Sequence, residues 1–86
     1  MPCVFLSTKF QKRFKKQTEA TRQAAREQEK IFLKNAHDPQ LETHKLHGKD
    51  KDAWAYSVTR KIRIKFVFIS TDIVMYLDIG THDEVY

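Results

Sequence analysis

The alternation in residues 61–69, KIRIKFVFI, constrains this chain more than any other feature. Ile62, Ile64, Phe66 and Phe68 fall on one side of an extended strand, and Arg63 and Lys65 fall on the other. Ser70–Thr71–Asp72 reads as a turn. Ile73, Met75, Leu77 and Ile79 then repeat the alternation in a second strand, which Gly80 is expected to end. Ala53–Val58 reads as a strand ahead of this pair. Short connections make the three an antiparallel meander. One face of that meander is apolar and needs a cover.

The cover has to come from the N-terminal half. Cys3–Ser7 reads as a short first strand, expected at an edge or in the centre of the sheet. Ser7 or Thr8 follows as an N-cap, because its side-chain oxygen can accept from a free amide of the next turn. Phe10 and Phe14, four apart, mark the buried stripe of a first helix. Thr18 with Glu19 marks a break and a second N-cap. Residues 20–35 lack Gly and Pro and are rich in Ala, Gln, Glu, Arg and Lys, which predicts a second helix with Ala20, Ala24, Ile31 and Phe32 on its apolar side. Pro39 biases Asp38 away from helical geometry and stops it. Residues 40–52 read as a polar connection anchored by Leu41 and Leu46. The predicted fold class is α+β in the order β-α-α-β-β-β, with a helix hairpin on one sheet face and the face of Arg63 and Lys65 left toward solvent or a ligand.

Composition narrows the function. Eighty-six residues allow one small domain, 1–86, with a thin core, and exclude a two-lobed cofactor enzyme. Six Phe, three Tyr and one Trp argue for packing rather than disorder. The single Cys3 cannot close an internal disulfide, which suits a reducing compartment. No apolar run approaches a membrane span, and residues 1–20 do not resemble a secretory signal, so cytoplasmic residence is expected. Gly48 and Gly80 are the only glycines, so no Gly-rich phosphate loop exists and no cofactor is expected. His44 and His47 with His37 nearby do not make a four-ligand metal site, and none is expected. The net charge of +5 is unevenly spread: residues 1–34 hold nine basic and three acidic residues, whereas residues 53–71 hold four basic residues and no acidic one. Such zones attract polyanions, RNA and DNA first among them.

Three segments carry a family resemblance: Leu41-Glu42-Thr43-His44-Lys45-Leu46-His47-Gly48, Ile62-Arg63-Ile64-Lys65-Phe66, and Asp78-Ile79-Gly80-Thr81-His82-Asp83-Glu84-Val85-Tyr86. In this order the chain resembles the RelE/ParE superfamily of bacterial toxins from toxin–antitoxin pairs, and in particular mRNA interferases of the RelE/YafQ type. The resemblance implies ribosome-dependent, metal-independent cleavage of mRNA, in which a ribose 2′-hydroxyl attacks the adjacent phosphate. That reaction needs a base, an acid and cationic support at phosphorus.

By the same resemblance His82 and His44 share the acid–base work, in either assignment. Arg63 neutralises the scissile phosphate through its planar donor fork. Tyr86 stacks on a base or hydrogen-bonds a phosphate. Two lysines that RelE-like enzymes often carry on the preceding strand are replaced here by the region Trp54-Ala55-Tyr56. The second His and the Asp of the YafQ-type site fall near Val58 and Ile62 and are also absent. Lys45, Arg60, Lys61, Lys65 and Tyr56 are the expected further substrate contacts. The expected partners are the ribosome with its mRNA and a cognate antitoxin presenting an acidic amphipathic segment; neither membrane nor direct DNA binding is expected. Two other readings stay open: a ParE-like toxin that inhibits DNA gyrase by protein contact, and a non-catalytic RNA-binding module whose affinity for naked RNA depends steeply on salt.

Overall fold

The computed structural model describes residues 3–48 and 52–86. Strand β1 (Cys3–Leu6) leads into helix α1 (Thr8–Lys15) and helix α2 (Glu19–Lys34). A single 3₁₀ turn (Pro39–Leu41) precedes β2 (His44–Lys45), β3 (Trp54–Ser57), β4 (Ile62–Ser70), β5 (Ile73–Thr81) and the one-turn helix α3 (His82–Val85). The helix starts follow from side-chain capping: Ser7 Oγ accepts from the Phe10 amide, and Thr18 Oγ1 from the Thr21 amide.

The sheet has five strands in the order β1-β5-β4-β3-β2. β3, β4 and β5 form the expected antiparallel meander. β1 lies at the edge, parallel to β5, from Cys3 opposite Ile73 to Leu6 opposite Tyr76. A parallel partner requires a long connection; the one from β1 to β5 runs through α1 and α2, which cover one sheet face, and then through β2, β3 and β4. The additional strand is β2, which pairs His44 with Ala55 and Lys45 with Trp54 inside the segment expected to be a polar connection. Residues 49–51 of that expected connection lie outside the described residues.

The main core lies between α2 and the sheet. Phe32 stacks on Tyr56 with ring centroids 4.7 Å apart and meets Phe66 and Tyr76 edge-on. Ile64 and Phe66 of β4 are buried as the alternation requires. In β5 the expected face is wrong for most of its length. Val74 and Tyr76 are buried there, while Ile73, Met75 and Leu77 are only partly covered. The reason is a register slip: Phe66 faces Tyr76 and Lys65 faces Asp78, so Leu77 has no partner. One extra residue inverts the phase of the alternation, and Ile79 returns to the core beyond it. Gly80 does not end the strand but sits within it, opposite Arg63. Ala20 is exposed, and Ala25 takes the buried position on α2.

The second sheet face is not bare. Leu46, Ala53 and Ala55 are buried there, with Val67 packed against them. Val67 shares the β4 face of Arg63 and Lys65, so the apolar patch covers one end of that face and leaves the cations at the other.

Candidate functional site

Three distant segments meet at the Arg63 end of this face. The β4 position of Arg63 lies between Ser57 of β3 and Gly80 of β5. Its Nη1 donates to the Thr59 carbonyl at 2.8 Å, which fixes one corner of the guanidinium fork. The β4–β5 ladder ends at the pair Ile62 and Thr81, so the chain enters α3 beside Arg63.

α3 carries His82 and Tyr86 at i and i+4, on one side of the turn. Their ring centroids are 3.9 Å apart, at 46°. His44, from β2, closes the group: its Nε2 is hydrogen-bonded to the Tyr86 hydroxyl, and the two rings meet edge to face at 5.5 Å. The Nδ1 of His44 lies 2.9 Å from the Glu42 carbonyl, which can only accept. The contact puts a proton on Nδ1, and in the neutral ring Nε2 then presents a lone pair to which Tyr86 donates. Glu42 makes this possible by taking a left-handed backbone conformation, φ 52°, at the end of the 3₁₀ turn. For a residue other than glycine that geometry costs about 1–3 kcal/mol and tends to occur at functional sites.

Tyr86 is the electrostatic centre of the group. Partial burial pushes its hydroxyl above the usual tyrosine range, against the pull of the Arg63 guanidinium beside it, while Glu42 adds to the upward shift. The hydroxyl thus stays protonated and available as a donor at neutral pH. His82 is largely exposed, with Nδ1 3.5 Å from Asp83 Oδ1. A shallow cleft of about 210 Å³ opens beside the cluster, lined by His44, Lys45, Leu46, His47 and Tyr86. Among the described residues, no three His, Cys, Asp or Glu side chains converge as metal ligands would.

The four residues expected to act together, His44, Arg63, His82 and Tyr86, are therefore gathered in one place. Lys45 lines the cleft, and Lys61 and His82 sit at the same end of the β4–β5 ladder. Arg60 is exposed in the adjoining β3–β4 turn. Lys65 lies two residues along the Arg63 face, between Ala55 and Asp78. Tyr56 is the exception. It is 0% exposed and its hydroxyl pairs with that of Tyr76 at 2.9 Å, so it belongs to the core and cannot touch a substrate. The expectation failed because Tyr56 occupies the β3 position paired with the inward-facing Ile64, not the one paired with Arg63.

Sequence reasoning missed what holds α3. Arg13 of α1 places Nε 3.1 Å from Asp78 Oδ1 and Nη2 3.0 Å from Glu84 Oε2. Glu84 also accepts from the Thr81 amide at 2.7 Å, closing a capping box. That amide bond, with Arg13 contributing, holds the Glu84 carboxyl below its usual range. Asp78, Gly80 and Glu84 belong to the tail motif, but their partner stands 65 residues earlier in the case of Asp78, and no local pattern announces it.

No family model matches the chain, and no curated protein matches it. Solved structures do. YafQ from E. coli strain BL21(DE3) superposes with a TM-score of 0.80 at 12% identity, covering 100% of this chain and 99% of that one. YafQ in the E. coli DinJ-YafQ toxin-antitoxin complex gives 0.78 at 13% identity, covering 99% and 97%. A copper-bound mutant toxin from Helicobacter pylori gives 0.73 at 22% identity, with both chains covered completely. The chain has the fold of the RelE/YafQ-like toxins.

Proposed function

We propose that this RelE-like domain is the toxin of a toxin–antitoxin pair and an endoribonuclease that cleaves mRNA on the ribosome, in the cytoplasm. The observation that carries this reading is the meeting of His44, Arg63, His82 and Tyr86, from β2, β4 and α3, around one cationic corner of the sheet. A toxin acting only by protein contact has no need of two imidazoles, a guanidinium and a phenol in contact. The pairing of YafQ with DinJ supports a cognate antitoxin as partner. The +5 net charge supports an acidic, amphipathic antitoxin segment, and DNA binding would belong to the antitoxin half.

The chemistry follows from the tautomer of His44. Its Nε2 lone pair takes the proton of the ribose 2′-hydroxyl once substrate displaces the Tyr86 contact. The 2′-oxygen bonds to phosphorus and the bond from phosphorus to the 5′-oxygen breaks. Protonated His82 delivers its proton to that leaving oxygen. Arg63 and the Tyr86 hydroxyl stabilise the charge that builds on the non-bridging oxygens. The products are a 2′,3′-cyclic phosphate and a 5′-hydroxyl, and each proton is accounted for by the two histidines.

The test is primer extension on an mRNA in a reconstituted translation system. Ribosome-dependent, codon-phased cuts that vanish in His82→Ala are expected. Halted translation with intact message would contradict the reading, and inhibition of gyrase supercoiling would then identify the ParE-like alternative.

A further inference from the structure

We propose that Arg13 is a positioning residue for the reaction: it sets the rotation of α3 and thereby aims His82 and Tyr86 at His44. This inference rests on the reading of the site as a ribonuclease centre, and its first test does not use activity.

α3 is a helix of only four residues, with the Tyr86 amide donating to the His82 carbonyl at 3.0 Å. One turn cannot repay the cost of helix nucleation, so its orientation must be imposed from outside. Val85 is buried and seats one side of the turn against the core, and the Arg13–Glu84 pair holds a neighbouring side. At about 100° per residue, Glu84 lies on the far side of the turn from His82 and Tyr86. Arg13 grips that far side.

The grip is built rather than incidental. The Arg13 fork spans two carboxylates, Asp78 on β5 and Glu84 on α3. Asp78 is 3% exposed, and both its oxygens are engaged: Oδ1 also accepts from the Ile79 amide at 2.8 Å, and Oδ2 lies 3.5 Å from Lys9 Nζ. The strand end is thus a fixed anchor, and Arg13 ties the helix to it. Gly80 makes room for the tie. A Cβ there would stand 2.7 Å from Arg13 Nη2 and 2.7 Å from Glu84 Oε1, closer than such atoms can approach. α1, which contributes no side chain to the reacting cluster, therefore determines how α3 presents its two aromatic rings.

The test compares wild type with Arg13→Ala, Arg13→Lys and Glu84→Gln. Glu84→Gln leaves the Arg13–Asp78 pair intact and keeps a folded reference in hand should Arg13→Ala unfold. The first readout is the proton spectrum of the His82 ring, which the Tyr86 ring shifts upfield at 3.9 Å. Loss of at least half that upfield shift is expected in Arg13→Ala and Glu84→Gln, with partial recovery in Arg13→Lys. The second readout is steady-state cleavage, expected to fall about tenfold in kcat with KM within twofold. An unchanged His82 shift in folded Glu84→Gln would overturn the proposal. So would a raised KM at constant kcat, which would make Arg13 an RNA contact instead. If the wild type cleaves no RNA, the ribonuclease reading falls while the ring shift still decides whether Arg13 orients α3.

Discussion

Two tyrosine hydroxyls show how differently the two sheet faces are built. On the helix-covered face, Tyr56 and Tyr76 are almost wholly buried and satisfy each other. On the opposite face Tyr86 is 41% exposed and bonds a histidine that itself faces solvent. Burial pushes the hydroxyls of all three above the ordinary range. In the core the consequence is structural: a buried pair in which one hydroxyl donates and the other accepts, with Glu29 near enough to raise both. At the Arg63 corner it is chemical: a donor that stays protonated beside a guanidinium and a lone pair. The comparison teaches that residue type does not define the site. What does is whether the polar partner can be exchanged for a ligand.

The largest effects should separate the faces cleanly. His82→Ala removes a proton donor from an exposed position and is expected to lower cleavage about 10²–10⁴-fold. Its stability in urea should stay within about 0.5 kcal/mol of wild type. Phe32→Ala should do the reverse, costing about 3–5 kcal/mol in urea denaturation while leaving cleavage per folded molecule unchanged. A Phe32→Ala protein that is stable but inactive would break the comparison.

The tyrosines sharpen it at smaller scale. Tyr56→Phe leaves the Tyr76 hydroxyl without its buried partner and should cost about 1–3 kcal/mol with no change in cleavage rate. Tyr86→Phe should slow cleavage about tenfold and cost about 1 kcal/mol or less in urea denaturation, since it removes a single hydrogen bond at a partly exposed site.

Alkaline pH gives the smallest and most graded effect. The folded-state values of Tyr56 and Tyr76 are raised, so the unfolded chain ionises first. Their contribution is fully present below the unfolded value of about 10 and is lost as pH rises from there toward the folded values. Urea midpoints measured from pH 8 to pH 11 should be flat at first and then fall, and Tyr76→Phe should flatten that fall. A decline that begins well below pH 10 would contradict the linkage.

Much of this was legible in the sequence because it is local. Capping by Ser7 and Thr18, the inward run of Ile64 and Phe66, and the meander itself are written in nearest-neighbour patterns. The candidate histidines and Arg63 were proposed from short motifs whose order resembles a known family. What was not legible depended on contacts between distant segments. The slip at Leu77 inverted the face of β5, because a bulge obeys cross-strand packing rather than the strand's own alternation. Tyr56 was misassigned because pairing with Ile64, not motif position, decides which face it takes. The Arg13 tie to Asp78 and Glu84 joins the two ends of the chain, and an arginine in a cation-rich helix gives no sign of which carboxylate it will meet.

The central claim is that His44 and His82 act as one unit in RNA cleavage. The direct measurement is the single-turnover cleavage rate of programmed ribosomes with His44→Ala, His82→Ala and the double variant. Residues that act together are strongly non-additive. The account predicts that each single variant loses nearly all the rate and that the double loses less than about tenfold more than the worse single. Losses that multiply across the two, or a His44→Ala variant that cuts at the wild-type rate, would contradict it.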